Sequence, residues 1–393
     1  MTDTPRAFTP VIWLSAAHVI TDLYLPVLTA ILPLLISTYG FSYFLAGLLV
    51  TMYNVTSSLT QPLFGWLSDR YGIILHVSVC LLISAIFISA MGLSGNFFLL
   101  AVFAALAALG HAAFHPNAFS IVNRLCTPEN RGKITSIFVV GGNIGYAAGP
   151  LLAAAIIFYF GLTGLPLLVI PAAIMATALY ALFPHAGRKQ GRKSENTVER
   201  TPPGAYRKLI VLFSASTLRA WVIFCAIAFI PAFLMSRGLD LITADLLISA
   251  MLIAGVAGQL IGGSFSDTYG RKEFVIVGTL IAIPAFCVFI FTTGILSILA
   301  LLVFGFAMWS GFAVTVAMAH EMMPGKVAFT SGLMLGASLG IGGMGVAVTG
   351  FLADTYSLSQ ALEILPFLMV IAGILVFALQ YPWKTWHFTG LMK

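Results

Sequence analysis

Long apolar runs recur along this chain, and they constrain its fold more than any other feature. A helix needs about 20 apolar residues to cross the ~30 Å hydrocarbon core of a bilayer. Short polar breaks separate runs of this kind over 11–37, 43–67, 73–92, 97–122, 134–160, 163–183, 208–235, 242–265, 273–293, 296–319, 327–353 and 359–380. Because a segment within lipid must satisfy its own backbone hydrogen bonds, the sequence predicts twelve transmembrane helices and an all-α membrane protein.

The composition agrees with a surface that faces lipid. Only 8% of the 393 residues are charged, against about 25% in an ordinary soluble domain. The four cysteines stand singly, with neither a disulfide framework nor metal-ligand spacing. The first apolar run lacks the short length and the cleavage site of a signal peptide, so we expect it to remain as the first span.

The Lys and Arg residues indicate the orientation in the membrane. The chain has 19 of them and a formal net charge of +6. All except Arg219 and Arg237 lie at the termini or in the loops of one side, and loops rich in Lys and Arg stay cytoplasmic. We therefore expect a multi-pass protein of the cell (plasma or inner) membrane with both termini in the cytoplasm. Topology and contact with anionic lipid headgroups explain the charge, so nucleic acid is not an expected partner.

One long polar stretch divides the chain into two halves of six spans each. We predict an N-terminal bundle over 1–184, a basic cytoplasmic linker over 185–207 and a C-terminal bundle over 208–393. The halves look related, since one set of residues recurs in the same order and spacing: Gln61, Gly65, Ser68, Asp69, Tyr71 and Gly72 in the first half, and Gln259, Gly263, Ser266, Asp267, Tyr269 and Gly270 in the second. Internal duplication with a site between the repeats is typical of secondary transporters.

The loop after the second span reads Gly65-x-x-x-Asp69-Arg70-x-Gly72, and with the twelve spans and the long middle loop it resembles the signature of the major facilitator superfamily. Shorter pieces make the whole chain similar to the fosmidomycin resistance protein family of drug/proton antiporters: Phe114-His115-Pro116, Gly141-Gly142-Asn143 and Leu218-Arg219. The resemblance implies the major facilitator fold, in which two pseudo-symmetric six-helix bundles rock about a central site. We expect such a protein to work as a monomer without a cofactor.

The resemblance also implies a latch at the cytoplasmic ends of the helices. A carboxylate can cap the positive N-terminus of a neighbouring helix, and contacts of this kind would form in one state and break in the other. Asp69 would then face the start of helix eleven near Lys326, and Asp267 the start of helix five near Lys133. The expected latch residues are Gly65, Asp69, Arg70, Gly72, Asp267, Gly270, Arg271 and Lys272.

Helix five carries Gly141, Gly145 and Gly149-Pro150 at intervals of four residues. Small residues at this spacing line one helix face and allow a close approach to another helix. The motif resembles the Gly-x-x-x-Gly-Pro pattern of proton-coupled antiporters in the superfamily. Helix packing alone would also explain these glycines.

Ionisable residues within the spans give the clearest indication of mechanism, because burying them in a membrane is costly. Asp22 and His18 share one face of the first span, and His111 and His115 share one face of the fourth. Arg219 holds the position in the second half that corresponds to Asp22 in the first. We predict proton coupling at Asp22 with the three histidines and substrate binding at Arg219. A static Asp22–Arg219 ion pair and purely structural histidines stay open as alternatives.

Neutral polar side chains within the spans could supply hydrogen bonds to a substrate. The candidates are Tyr24, Tyr53, Asn54, Gln61, Asn143 and Gln259, although each alone could serve helix packing. We assign no metal site, since two pairs of ionisable residues four apart are a weak signal for one. No catalytic motif is present, so an enzyme is not expected.

These observations predict a secondary active transporter that exports a small, anionic or phosphonate-like solute or drug by proton antiport and alternating access. Three other functions stay open: a proton-coupled importer of an organic anion, a metal or metallophore exporter, and a membrane receptor or scaffold without transport.

Overall fold

The computed structural model describes residues 4–71, 75–126, 131–183 and 203–384, and within these ranges the chain is helical and contains no strand. Twelve long segments follow one another as predicted: α1 (Thr4–Tyr39), α2 (Tyr43–Tyr71), α3 (Val77–Leu93), α4 (Phe97–Leu125), α5 (Arg131–Phe160), α6 (Leu162–Leu182), α7 (Ala205–Ser236), α8 (Leu241–Tyr269), α9 (Arg271–Phe291), α10 (Gly294–Met322), α11 (Phe329–Thr355) and α12 (Leu358–Ala378). Ten of these helices are long and apolar enough to cross a membrane, and α3 is a shorter apolar helix.

Helix α2 is long enough to span a membrane but is more polar than the other long helices. Its second half carries Asn54, Ser57, Ser58 and Gln61, and all four side chains line a central cavity. Its polarity therefore follows from facing the cavity, where water and solutes can reach it.

Short polar turns begin and end the helices. The Asn96 side chain accepts a hydrogen bond from the Leu99 amide at 3.1 Å and caps α4, and the Asp240 carboxylate accepts one from the Thr243 amide at 2.9 Å and caps α8. The Thr243 amide and hydroxyl both donate to the Asp240 carboxylate, and these hydrogen bonds lower the pKa of Asp240. Gly270 turns the chain from α8 into α9 with a φ of +101°, a conformation that side chains disfavour.

Among the described residues, the two halves pack closely through α1 with α7, α2 with α11, and α5 with α8. Most of the predicted linker, 185–207, lies outside the described residues, so the division of the chain at this loop stays a prediction.

Helices α1 and α5 pack closely along a row of glycines. A Cβ atom at Gly141, Gly145 or Gly149 would lie 2.5, 1.9 or 2.5 Å from a backbone carbonyl oxygen of α1. Those oxygens belong to Ser15, Val19 and Leu23, one helical turn apart. Only glycine leaves room for this approach, so the motif of helix five builds the α1–α5 contact. Its link to antiport stays a proposal.

Candidate functional site

A cavity of about 350 Å³ lies between the two halves and takes its walls from both. Four predicted proton-coupling residues line it: His18, Asp22, His111 and His115. Six of the seven predicted substrate residues line it as well: Tyr53, Asn54, Gln61, Asn143, Arg219 and Gln259. Helices far apart in sequence thus bring the predicted groups to one space.

The seventh, Tyr24, is a correction. Its side chain is fully buried within the first half, and its hydroxyl donates to the Leu168 carbonyl at 2.9 Å. Tyr24 fixes α1 against α6 and takes no part in lining the cavity. The sequence alone could not tell which face of α1 Tyr24 occupies.

Asp22 is the centre of the ionisable cluster. Its Oδ2 lies 3.1 Å from His18 Nε2, and its Oδ1 lies 3.3 Å from His115 Nε2. The two Nε2 atoms are 3.3 Å apart, and His111 Nδ1 lies farther away, 3.9 Å from Asp22 Oδ1. We call Asp22, His18 and His115 the proton triad.

Backbone carbonyls fix the tautomers of both histidines in the triad. Nδ1 of His18 lies 2.8 Å from the Phe138 carbonyl, and Nδ1 of His115 lies 2.9 Å from the His111 carbonyl. A carbonyl can only accept, so each Nδ1 carries the hydrogen, and each Nε2 is left as a bare acceptor in the neutral ring. Three acceptors would then face one another at about 3 Å. Such a group attracts labile protons. With no labile proton its net charge is that of the Asp22 carboxylate; one added proton makes it neutral, and a second gives it a single positive charge.

Gly142 leaves the space in which the triad assembles. A Cβ atom there would lie 2.5 Å from both Asp22 Oδ2 and His18 Nε2. The His18 ring is also stacked on the Phe138 ring, with centroids 4.2 Å apart. Helix α5 therefore contacts the triad through the ring and carbonyl of Phe138, and the missing side chain of Gly142 leaves room for it.

Arg219 lies in the opposite wall, and it is not paired with Asp22 in this conformation, contrary to one sequence-based alternative. Arg219 is 4% exposed, and its guanidinium donates to Thr279 Oγ1 and to the Met308 carbonyl, each at 2.6 Å. Both acceptors are neutral, and no carboxylate of the described residues lies within 4.0 Å of it. Asp22 lies beside the histidines instead, so the Arg219 charge has no anion beside it among the described residues.

At the end away from the basic loops, a carboxylate closes the gap between the halves. Asp354, at the end of α11, accepts hydrogen bonds from the Tyr43 and Phe44 amides at the start of α2, each at 2.8 Å. Glycines allow α2 and α11 to touch below this point: a Cβ at Gly350 would lie 2.3 Å from the Tyr43 carbonyl oxygen. Toward the basic loops α2 and α11 lie less close, since an added Cβ at Gly336 would stand 3.6 Å from the Ser58 carbonyl oxygen, an ordinary van der Waals contact.

At the basic end, Asp267 of the predicted latch has an ion-pair partner within its own half. Its carboxylate pairs with Arg271 of its own half at 2.9 Å, and Arg271 pairs with Glu321 at 2.7 Å. The side chain of Lys133, the predicted neighbour at the start of helix five, lies outside the described residues, so that contact stays a prediction. Lys272 also stays within its half, donating to the Leu379 carbonyl at 2.8 Å.

Most of the predicted first-half latch lies outside the described residues. The side chains of Asp69, Arg70 and Lys133 and the whole of Gly72 lie outside the described residues. Gly65 is described and has open space where a Cβ would stand, and Gly270 provides the turn between α8 and α9.

The sequence alone did not point to two features of this region, Gly142 beside the triad and Asp354 at the end of α11. Gly142 was part of a recognised motif, but nothing local showed that it faces Asp22. Asp354 lies at a helix end with ordinary polar neighbours, and its partners are over 300 residues away. In both cases the signal is the packing of distant helices.

Apolar helices of spanning length that enclose a cavity lined by ionisable groups are typical of a membrane transporter, and not of an enzyme. The chain belongs to the Major Facilitator Superfamily, whose sequence profile matches residues 12–343 and, in a second match, 212–389.

Curated relatives and solved structures agree with this family. The fosmidomycin resistance protein of Escherichia coli (strain K12) is 31% identical over 378 residues, which cover 93% of this chain and 91% of that protein. The uncharacterised transporter YfnC of Bacillus subtilis (strain 168) is 29% identical, covering 94% and 93%. A bacterial homologue of the human lysosomal transporter Spinster, in an inward-facing and occupied conformation, has a TM-score of 0.82 at 18% identity, covering 96% of this chain and 97% of that one. That likeness concerns the fold alone.

Proposed function

We propose that this protein exports a small organic anion from the cytoplasm in exchange for protons, by alternating access in the cell membrane. Both termini are cytoplasmic in this proposal, and the end at which Asp354 joins the two halves would face the outside. The similarity to a fosmidomycin resistance protein supports the outward direction. The proton triad is the observation that carries the proposal.

The triad is suited to bind and release protons because its acceptors cannot satisfy one another. The two Nε2 atoms and the Asp22 carboxylate approach within 3.1–3.3 Å, while each Nδ1 is committed to a backbone carbonyl. A labile proton, or a hydrogen-bond donor of the cargo, removes the repulsion equally well. Cargo and proton therefore compete for the same acceptors, and this competition is the requirement for exchange.

Arg219 supplies the anion site. A buried guanidinium without a counter-ion is costly, and an acidic group of the cargo would remove that cost. Its planar donor fork suits carboxylate and phosphonate oxygens. The cargo would thus place its anionic group on the second half and a donor on the first.

Proton symport of an anion is the second candidate, and one observation favours it. A doubly protonated triad carries a positive charge and faces the same cavity as Arg219, so the two would attract an anion together. Symport and antiport give opposite directions of flux under one pH gradient, so a single assay separates them.

The test uses protein reconstituted in liposomes with fosmidomycin as the probe, because the relative is named for resistance to it. When the liposome lumen is more acidic than the bath, protons leave the liposomes. If the protein exchanges protons for cargo, this outward proton flow should drive uptake of fosmidomycin. Asp22→Asn should abolish uphill flux and leave downhill exchange of the probe intact. Asp245→Asn is the matched control, since it removes another buried carboxyl that does not line the cavity. Uphill flux in Asp22→Asn equal to that of the parent would refute coupling at the triad.

A further inference from the structure

The two walls of the central cavity differ in chemistry. The first half contributes a polar wall, in which Asn54, Ser57, Gln61, Asn143 and Tyr146 accompany the proton triad. The second half contributes a wall in which apolar side chains predominate, with Phe224, Trp309, Phe312, Ile223, Leu335 and Leu339 around Arg219. A cavity for a uniformly polar solute has no need of an aromatic wall, and one for a uniformly apolar solute would leave the amides unpartnered.

The surroundings of Arg219 add donors for an acidic group. Ser216 lies three residues before Arg219, on the same face of α7, and Ser338 of α11 lines the same cavity. Both hydroxyl oxygens are buried and have no hydrogen-bond partner among the described residues. An oxyanion at Arg219 could accept from hydroxyls as well as from the guanidinium.

The size of the cavity limits the cargo to a small molecule. Its volume of about 350 Å³ lies near the lower end of the range of known ligand sites. One ring with short substituents fits such a space, whereas a long-chain lipid exceeds it.

From these walls we infer that the cargo is a small amphiphilic organic monoanion with three parts: one acidic group for Arg219, an aromatic or alkyl face for the second half, and a hydrogen-bonding edge for the first half. This inference rests on the proposed function and narrows its substrate class. It separates the cargo from sugar acids, which lack an apolar face, and from neutral aromatic compounds, which lack the acid.

The experiment measures binding, without a pH gradient, by isothermal titration to the purified full chain in detergent at one fixed pH. Three probes divide the inference into its parts. 4-Hydroxyphenylacetate has all three features, glucuronate lacks the apolar face, and 2-(4-hydroxyphenyl)ethanol lacks the acid. We expect the first to bind at least tenfold more tightly than either of the others.

Variants assign each feature to its wall. Trp309→Ala should weaken 4-hydroxyphenylacetate and leave glucuronate unchanged, whereas Arg219→Gln should weaken both acids and leave the alcohol unchanged. If the Gln variant does not fold, Arg219→Lys replaces it. This variant keeps the charge but lacks the planar donor fork, and it should also weaken binding of both acids. Trp383→Ala is the matched control outside the cavity. Thermal unfolding of each variant separates lost binding from lost structure.

The inference is overturned if glucuronate or the alcohol binds as tightly as 4-hydroxyphenylacetate, or if none of the three binds. These outcomes leave proton coupling untouched, because that proposal depends on flux under a pH gradient. Conversely, a parental flux in Asp22→Asn would refute the coupling and leave the selectivity for amphiphilic acids standing.

Discussion

Gly142→Ala should disable proton coupling while the protein stays folded. The new Cβ would start 2.5 Å from Asp22 Oδ2 and from His18 Nε2, whereas non-bonded contacts to carbon need roughly 3.5 Å. Each atom would have to retreat by about 1 Å. The Asp22 carboxylate can rotate away, and the His18 ring, which the Phe138 carbonyl and ring hold, must tilt. The contact of 3.1 Å between the two side chains would then be lost.

The expected loss is large because the geometry of proton transfer is strict. A misplacement of about 1 Å costs on the order of 100-fold in comparable reactions. The assay is flux into liposomes under a pH gradient, accompanied by thermal unfolding in detergent. We expect Gly142→Ala to lose most of its uphill flux and to unfold near the temperature of the parent, since the atoms it meets are the ends of side chains.

Gly145→Ala is the matched control, three residues along the same helix. Its Cβ would lie 1.9 Å from the Val19 carbonyl oxygen, which belongs to the backbone and can retreat only if α1 and α5 separate. Overpacking of this kind costs about 1–3 kcal/mol, so this variant should lose stability. Parental flux with unchanged pH dependence in Gly142→Ala would refute the reasoning about the triad. A fully stable Gly145→Ala would refute the description of the α1–α5 contact.

Three further outcomes follow from the structure. Asp354→Ala removes two charge-assisted hydrogen bonds to Tyr43 and Phe44, each contributing about 1.5–3 kcal/mol, and should shift the population toward the opposite conformation. Spin-label distances between the ends of α2 and α11 would lengthen, and an unchanged distribution would contradict this. Asp245→Asn should raise the unfolding temperature, because both Asp245 oxygens are buried without a partner among the described residues; a lower temperature would reveal an unseen contact. His76→Ala should cost about 1 kcal/mol, since His76 caps α3, and calorimetry that finds no change would argue against the cap.

The sequence predicted the helices well because the membrane simplifies the problem. The fourth span was predicted over 97–122, and α4 occupies Phe97–Leu125. Apolar length and polar breaks suffice for such predictions, since backbone groups in lipid must pair within the helix. The cost of burying charge likewise singled out Asp22 and Arg219, and both line the cavity.

Contacts between distant helices were beyond the sequence. Tyr24 and Tyr53 look alike in sequence, yet one faces the interior of its bundle and the other the cavity. The partner of Asp22 was equally undetermined, because depth in the membrane does not say whether a histidine or an arginine lies opposite. Where a carboxylate has several cationic neighbours at one depth, only the helix orientations decide among them.

All three members of the proton triad, and the carbonyls that orient its rings, belong to α1, α4 and α5 of the first half. The guanidinium belongs to α7 of the second. When one half rocks against the other, the triad can therefore move as a unit with the first half, and its internal distances need not change. Because cargo and proton compete in the proposed exchange, the second half would respond to a proton through the departure of the molecule that had bridged the two walls.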